Sequence, residues 1–464
     1  MNYGFTLLSR AGQNHPKLDP RLASLVELSD ETFGEIQPPA SRSGYEANRD
    51  VPLRRSAGPL AFLKGPLAGK KARSGSGSHN EALRGYDGPA ACVPIFITVK
   101  PNTQFESLGV KLRSTSGTIA TAFLTIEEIL RLESQEAVVA VEWTGGAKPT
   151  SQPDSQPTSA SPRKTLGMVN WDSTLDGRGT LIGVVDAGGI DIYHPDLVNP
   201  GNISKVRWIW DQTVEERSAK PPPEWGYGQE YTFNDLFVEL NPNRHKRYAA
   251  VNHQALKQSH ATAVAGIAAG FGVENEDARG VAPGAELIYL GTHGSGERAL
   301  ATMIELAEAV DYVFNRADKE GKPCVINVSL GDDLGPRDGT SPVERFFDSV
   351  LEKPGRAIVV AAGNSAGKKK HVSGTLGGTD ESGAGRDRTD RLGVYIGRRS
   401  FPHLVIEIWC NAGATPSIEV VAPTVLGKRL CLHRATGPTR FSSPIGARIR
   451  HLMLVRKVRV EPMC

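Results

Sequence analysis

The sequence predicts an α/β protein, in which a parallel sheet carries helices on both faces and a smaller ferredoxin-like α+β module precedes it. Three observations predict this. Between residues 181 and 364, short continuous apolar runs alternate with stretches of helical periodicity, the pattern of strands buried on both faces. Before them, about 50 residues read in the order βαββαβ. The 464 residues, 39% hydrophobic and 23% charged, give room for two or three domains of ordinary soluble composition.

Residues 1–90 are rich in Gly, Pro, Ser and Arg and are read as a flexible N-terminal region, with one short helix expected over Leu22–Leu28. The module spans 91–144. Val93–Val99 is a strand, Thr103–Leu108 a short helix, Val110–Ser114 and Thr118–Leu124 two strands, and Val138–Glu142 the last strand. Thr125 is placed to N-cap a helix through Leu132, with Glu127 and Glu128 in its first turn. Residues 145–165, dense in Pro, Ser, Thr and Gln, form a linker and an expected cleavage region.

The larger domain occupies 166–400. Strands are expected at Leu181–Val185, Ala285–Leu290, Cys324–Gly331 and Ala357–Asn364, and helices from His260, over Leu300–Arg316 and over Pro342–Glu352. In open parallel sheets chemistry gathers at the carboxyl ends of strands. Asp186, Gly331 and Asn364 all fall at such ends.

Bulk features narrow the class. No apolar run reaches the roughly 20 residues of a membrane span. Met1–Asp30 carries no basic segment followed by an apolar one, so no secretory signal is visible and a cytoplasmic location is the default. Cys92, Cys324, Cys410, Cys431 and Cys464 form neither a CxxC pair nor a metal-ligand spacing, which excludes a disulfide scaffold or structural zinc. From Lys428 onward there are nine Lys or Arg and one acid, Glu461, while the preceding chain is mildly acidic.

One stretch stands out. His260 opens a run, Ala261–Gly270, in which nothing is bulkier than Val or Ile. A helix this thin can thread the middle of a domain and hold a histidine rigidly at its mouth, as a general base requires. Alone, the stretch is equally a buried small-residue helix with an incidental histidine.

Read together, Val185-Asp186-Ala187-Gly188, His194-Pro195-Asp196-Leu197, His260-Ala261-Thr262-Ala263-Val264-Ala265-Gly266, Gly280-Val281-Ala282-Pro283-Gly284-Ala285, Asn327-Val328-Ser329-Leu330-Gly331 and Ala361-Ala362-Gly363-Asn364 resemble the subtilisin-like serine proteases. The resemblance covers about residues 90–420, since the module also looks like that family's propeptide. It implies a serine endopeptidase acting on polypeptides. Asp186 would orient the imidazole, His260 would be general base and then acid, Asn364 would donate to the oxyanion, and Ser329, Leu330 and Gly331 would pair with the substrate backbone. Subtilisin orders its triad Asp, His, Ser along the chain, and Asp186 and His260 stand in that order. Arg207-Trp208-Ile209-Trp210-Asp211-Gln212-Thr213 and Leu404–Trp409 resemble a subgroup with a β jelly-roll insert, whose start is expected over 401–424.

The chain also departs from that pattern. Ala187 replaces a usual Ser or Thr, Gly189 lengthens the link to His194, and Ser259 and Ala261 replace flanking glycines. No Gly-Thr-Ser-x-Ala motif follows Asn364, so the nucleophile is unknown. Gly339-Thr340-Ser341 precedes Asn364 and stands in a loop entering a helix, the wrong place for the role. The expectation is a chain truncated or out of frame after about residue 424, with 425–464 an atypical basic tail. Neither nucleic acid nor membrane is then an expected partner. A serine-bearing fragment acting in trans is one expected partner, and a catalytically inactive peptide-binding or regulatory protein is the alternative. No cofactor or metal is assigned. Calcium is common in the family, but no compact Asp-rich loop carries it here.

Overall fold

A computed structural model of the chain describes residues 92–143, 146–149 and 175–373 with breaks at 215–217, 244–246, 256–258, 274–278, 293–300, 332–334 and 366–369. It also describes 6–7, 15–19, 22–23 and four strands between 403 and 456. The expected helix at Leu22–Leu28 and the linker beyond residue 149 lie largely outside the described residues. Two units are distinguished, one of residues 17–22 and 64–364, the other of 1–16, 23–63 and 365–464.

In the first unit the module is a four-stranded antiparallel sheet. It consists of β2 (Val93–Val99), β3 (Leu112–Ser116), β4 (Ile119–Leu124) and β5 (Val138–Glu142), in the order β3-β4-β2-β5. The first crossover is only a 3-10 turn, Phe105–Leu108, closed by Gly109 in the left-handed region. The second is α1 (Ile126–Glu133). Thr125 Oγ1 accepts from Glu128 N–H and the Glu128 carboxylate accepts from Thr125 N–H, a capping box worth about 1 kcal/mol. Ile129 and Leu132 of α1 are buried. Within the stretch read as flexible, Leu18 is buried and bridges Val141, with Val141 N–H donating to Lys17 O.

The main sheet contains β7 (Leu181–Ala187), β8 (Val206–Asp211), β9 (Gln229–Thr232), β10 (Glu286–Thr292), β12 (Cys324–Val328) and β14 (Arg356–Val360). Their order is β14-β12-β7-β10-β8-β9, parallel throughout except for β9 against β8. One face carries α4 (Met303–Glu320) and α5 (Pro342–Val350). Its core joins Leu181, Val185, Ile288, Leu290 and Ile326 to Val310, Val313 and Phe314 of α4, and also to Phe96 and Ile119 of the module. Each such side chain contributes about 1.5–3 kcal/mol on burial. A Cβ at Gly183 would lie 2.5 Å from Val313 Cγ1, so glycine permits α4 to approach β7 closely.

The opposite face is covered by α3 (His260–Ala269), which buries Ala261, Ala265 and Ala269 against Val184, Ile209, Leu287 and Tyr289. This cover stops short of the β12–β14 side. Val325 and Val359, in the rows that continue Ile182 and Val184 across the sheet, are 42% and 56% exposed. A short helix α2 (Phe233–Glu239) follows β9, its N-terminus capped by Thr232 and Asp235.

A second, three-stranded sheet sits apart from the main one. β6 (Gly146–Pro149) runs antiparallel between β11 (Ala301–Thr302) and β13 (Leu330–Gly331).

In the second unit, β15 (His403–Asn411) pairs antiparallel with β18 (Arg448–Arg456), which also pairs with β1 (Thr6–Leu7). β16 (Ile418–Val421) pairs with β17 (Cys431–Ala435). Residues 431–435 and 448–456, read from sequence as a tail without period, are therefore strands. Backbone pairing does not require the side-chain alternation that the sequence lacks there. Among the described residues no helix is long and apolar enough to cross a membrane.

Candidate active site

Asp186 occupies the carboxyl end of β7 and is fully buried. His260 is the first residue of α3, whose N-cap, Ser259, accepts from Thr262 N–H. The two meet directly. His260 Nδ1 lies 2.9 Å from Asp186 Oδ1 and 2.8 Å from Oδ2. Ala187 N–H donates to Oδ1 at 2.7 Å. Burial pushes the Asp186 carboxyl above the ordinary carboxylate range, and the hydrogen bonds from His260 and Ala187 offset this only in part. With Nδ1 turned to the carboxylate, the imidazole carries its proton there and presents Nε2 outward, its side chain 29% exposed.

The loop after Asp186 ties that residue to the helix that begins at His260. Gly188 and Gly189 have φ of 89° and 75°, a region that favours glycine. A Cβ at Gly189 would fall 2.4 Å from Gln254 O, so this position admits no side chain. Ser259 Oγ donates to Gly189 O, and Asp191 N–H donates to Thr262 Oγ1 at 2.9 Å. The residues on either side of His260 are thus fastened to the loop that leaves Asp186.

The remaining predicted residues lie along the same edge of the sheet, on the neighbouring strands β12 and β14. Ser329 follows β12 and is held by its N–H to Val185 O at 3.3 Å, one residue before Asp186, while Asn327 Nδ2 donates to Ser329 Oγ at 2.8 Å. Leu330 and Gly331 form β13 and pair with Pro149 and Lys148. Asn364 follows β14 through Gly363, which has φ 86°, and its side chain is exposed. Ala361 N–H donates to Val328 O at 3.0 Å, which keeps that turn against β12. Ser341 is the N-cap of α5, in a capping box with Glu344. Its hydroxyl donates to the Glu344 carboxylate and accepts from Glu344 N–H at 3.4 Å. Among the described residues no group of three or more His, Cys, Asp or Glu is placed to hold a metal.

Two features escaped the sequence. Gly146–Pro149 has no apolar alternation and was read as linker, yet it is the central strand between β11 and β13. His253 carries no motif, yet it is buried beside the site with Nδ1 2.7 Å from Asp211 Oδ2. The strand that ends at Asp211 is not expected from the sequence either, so nothing there pointed to the pair.

The geometry can be set beside known proteins. Residues 177–384 match the model of the subtilase family. Similar solved structures include the CspB protease of Clostridium perfringens, 21% identical over 61% of this chain and 58% of that one, with a TM-score of 0.42. The epidermin leader peptide processing serine protease of Staphylococcus aureus is 17% identical over 60% and 61%, with a TM-score of 0.35. An S41 psychrophilic protease is 27% identical over 41% and 47%, with a TM-score of 0.27. The chain therefore spans less than two thirds of the length of each. No curated protein matches it.

Proposed function

We propose that the carboxyl edge of this sheet is a peptide-bond hydrolysing site of the Asp/His/Ser type, a reading supported by the match of residues 177–384 to the subtilase family model. The observation that carries the proposal is the contact of His260 Nδ1 with the buried Asp186 carboxylate. Asp186 fixes the Nδ1–H tautomer, so the Nε2 lone pair is available to take a proton from a serine hydroxyl as its oxygen attacks the carbonyl carbon. The imidazolium formed is stabilised by Asp186. Asn364 donates its side-chain N–H to the oxyanion, and His260 returns the proton to the departing amine.

The polypeptide substrate lies between β11 and β13, adding a strand whose backbone groups are satisfied on both sides. The placing of Gly146–Pro149 there supports this reading, because an extended segment of the chain itself already pairs with Leu330 and Gly331.

The serine comes from a polypeptide outside these 464 residues, since no Gly-Thr-Ser-x-Ala follows Asn364. Room for a further element supports this. Val325 and Val359 are exposed next to α3, and a Cβ at Gly266 of α3 would meet open space. The second reading, a peptide-binding protein without catalysis, is favoured by the same missing motif together with a groove that holds an extended segment.

An internally quenched peptide separates the two. It is offered to the chain alone and to the chain mixed with a polypeptide bearing Gly-Thr-Ser-x-Ala. Hydrolysis that disappears with His260→Ala supports the endopeptidase. Binding without hydrolysis in either mixture supports the binding protein, and neither binding nor hydrolysis overturns both.

A further inference from the structure

A second buried aspartate–histidine couple stands beside the first. Asp186 on β7 and Asp211 on β8 are both in register with Gly291 of the intervening strand β10. Val184 and Ile209, two residues before each aspartate, belong to the core under α3, so both carboxylates project on that face. Between them the Tyr289 hydroxyl is buried without a regular hydrogen bond. Its ring fits because position 291 is glycine, where a Cβ would lie 3.2 Å from the ring.

His253 is held at both ring nitrogens. Asp211 Oδ1 accepts from Thr213 N–H at 3.0 Å and Thr213 Oγ1 at 2.6 Å, and Oδ2 faces His253 Nδ1 at 2.7 Å. Burial alone would raise the Asp211 carboxyl. The hydrogen bond and charge of His253, together with the hydrogen bonds from Thr213, outweigh it and hold the group below the ordinary range. His253 Nε2 accepts from Ile190 N–H at 3.0 Å, which requires its lone pair. The His253 ring, 2% exposed, thus joins the Asp211 carboxylate to the backbone of Ile190.

Ile190 is the centre of the loop that fastens the active couple. Gly189 O receives Ser259 Oγ–H on one side of it, and Asp191 N–H reaches Thr262 on the other. Ser259 and Thr262 bracket His260. Gly189 itself packs on Gln254, the neighbour of His253 in the chain.

We propose that Asp211 and His253 are positioning residues for the Asp186–His260 couple, clamping Ile190 so that the 187–191 loop holds α3 and the imidazole of His260 in register with Asp186. The proposal rests on the reading of Asp186–His260 as the base couple. His253 touches no reacting atom and acts only through the loop.

The test reads the hydrogen bond rather than catalysis. In the full chain, the Nδ1–H proton of His260 is observed as a low-field, exchange-protected NMR signal, assigned by its loss in Asp186→Asn. His253→Phe removes both the donor and the acceptor. His253→Gln keeps an acceptor for Ile190 N–H. The expected result is loss of the His260 signal in His253→Phe, with unchanged circular dichroism, and its retention in His253→Gln. Should His253→Phe fail to fold, Asp211→Asn replaces it, with the same loss expected. A His260 signal unmoved in a folded His253→Phe or Asp211→Asn protein overturns the positioning role and leaves the base couple standing. Absence of the signal in the unaltered chain overturns the base couple itself.

Discussion

Gly331 of β13 is paired with Lys148 of β6, so a segment N-terminal to the α/β domain lies along the strand proposed to receive substrate. Ala147 and Gly146 pair on the other side with Ala301 and Thr302. Gly331→Pro removes an N–H from this edge and crowds the backbone. Amide exchange over residues 146–149 is expected to accelerate at least tenfold, with no change over β12. Hydrogen exchange read by mass spectrometry checks this, and unchanged protection at 146–149 counts against a strand held by Gly331.

The buried Asp186 carboxyl makes stability depend on pH. Its folded-state pKa is raised, so its contribution to stability is present below the unfolded value of about 3.9 and is lost as pH rises through the folded one. At pH 7 the buried charge is therefore a cost. Asp186→Asn is expected to leave stability at pH 7 equal or higher, while lowering any His260-dependent hydrolysis by about 10⁴-fold through the wrong tautomer. Thermal melts and rates on the quenched peptide measure both halves.

How much of this was legible is clearest from particular residues. Asp186, His260 and Asn364 stand at or beside ends of elements whose apolar runs mark them, and Thr125 announced α1 through its capping pattern. The Gly146–Pro149 strand was not legible because its order comes from partners around residues 301 and 330, far along the chain, not from its own side chains. His253 was hidden for a similar reason, since its meaning lies in a carboxylate on another strand and a backbone N–H on a loop. The buried ion pair that joins module and domain was equally silent, each partner being an ordinary charged residue in sequence.

That pair is Arg113 of β3 and Glu308 of α4. The guanidinium donates twice to a carboxylate that is 0% exposed and stacks on Phe123 and Tyr227. Burial raises the Glu308 carboxyl and Arg113 pulls it back. Arg113→Ala strands this group and is expected to cost about 3–5 kcal/mol, whereas Arg113→Met combined with Glu308→Leu is expected to fall within about 1 kcal/mol of the unaltered chain. Denaturant midpoints decide it.

Glu224 gives a pH signature. Hydrogen bonds from Arg316, at 2.9 and 3.2 Å, outweigh burial and, with Lys319, hold its carboxyl down at about 2. The folded value lies below the unfolded one, so the stabilisation is full above about pH 4.5 and is lost as pH falls toward 2. Glu224→Gln is expected to flatten the stability profile over that window and leave its slope above pH 5 unchanged, as urea titrations at stepped pH would register.

A base couple of Asp186 and His260 that awaits a serine is the core of the proposed function. Covalent labelling by a fluorophosphonate probe tests it most directly. Expected are no labelling of the purified chain alone, labelling of the serine-bearing polypeptide when the two are mixed, and loss of that labelling with His260→Ala. Labelling of the mixture at an equal rate with His260→Ala, or none with the unaltered chain although the two polypeptides associate, would contradict it.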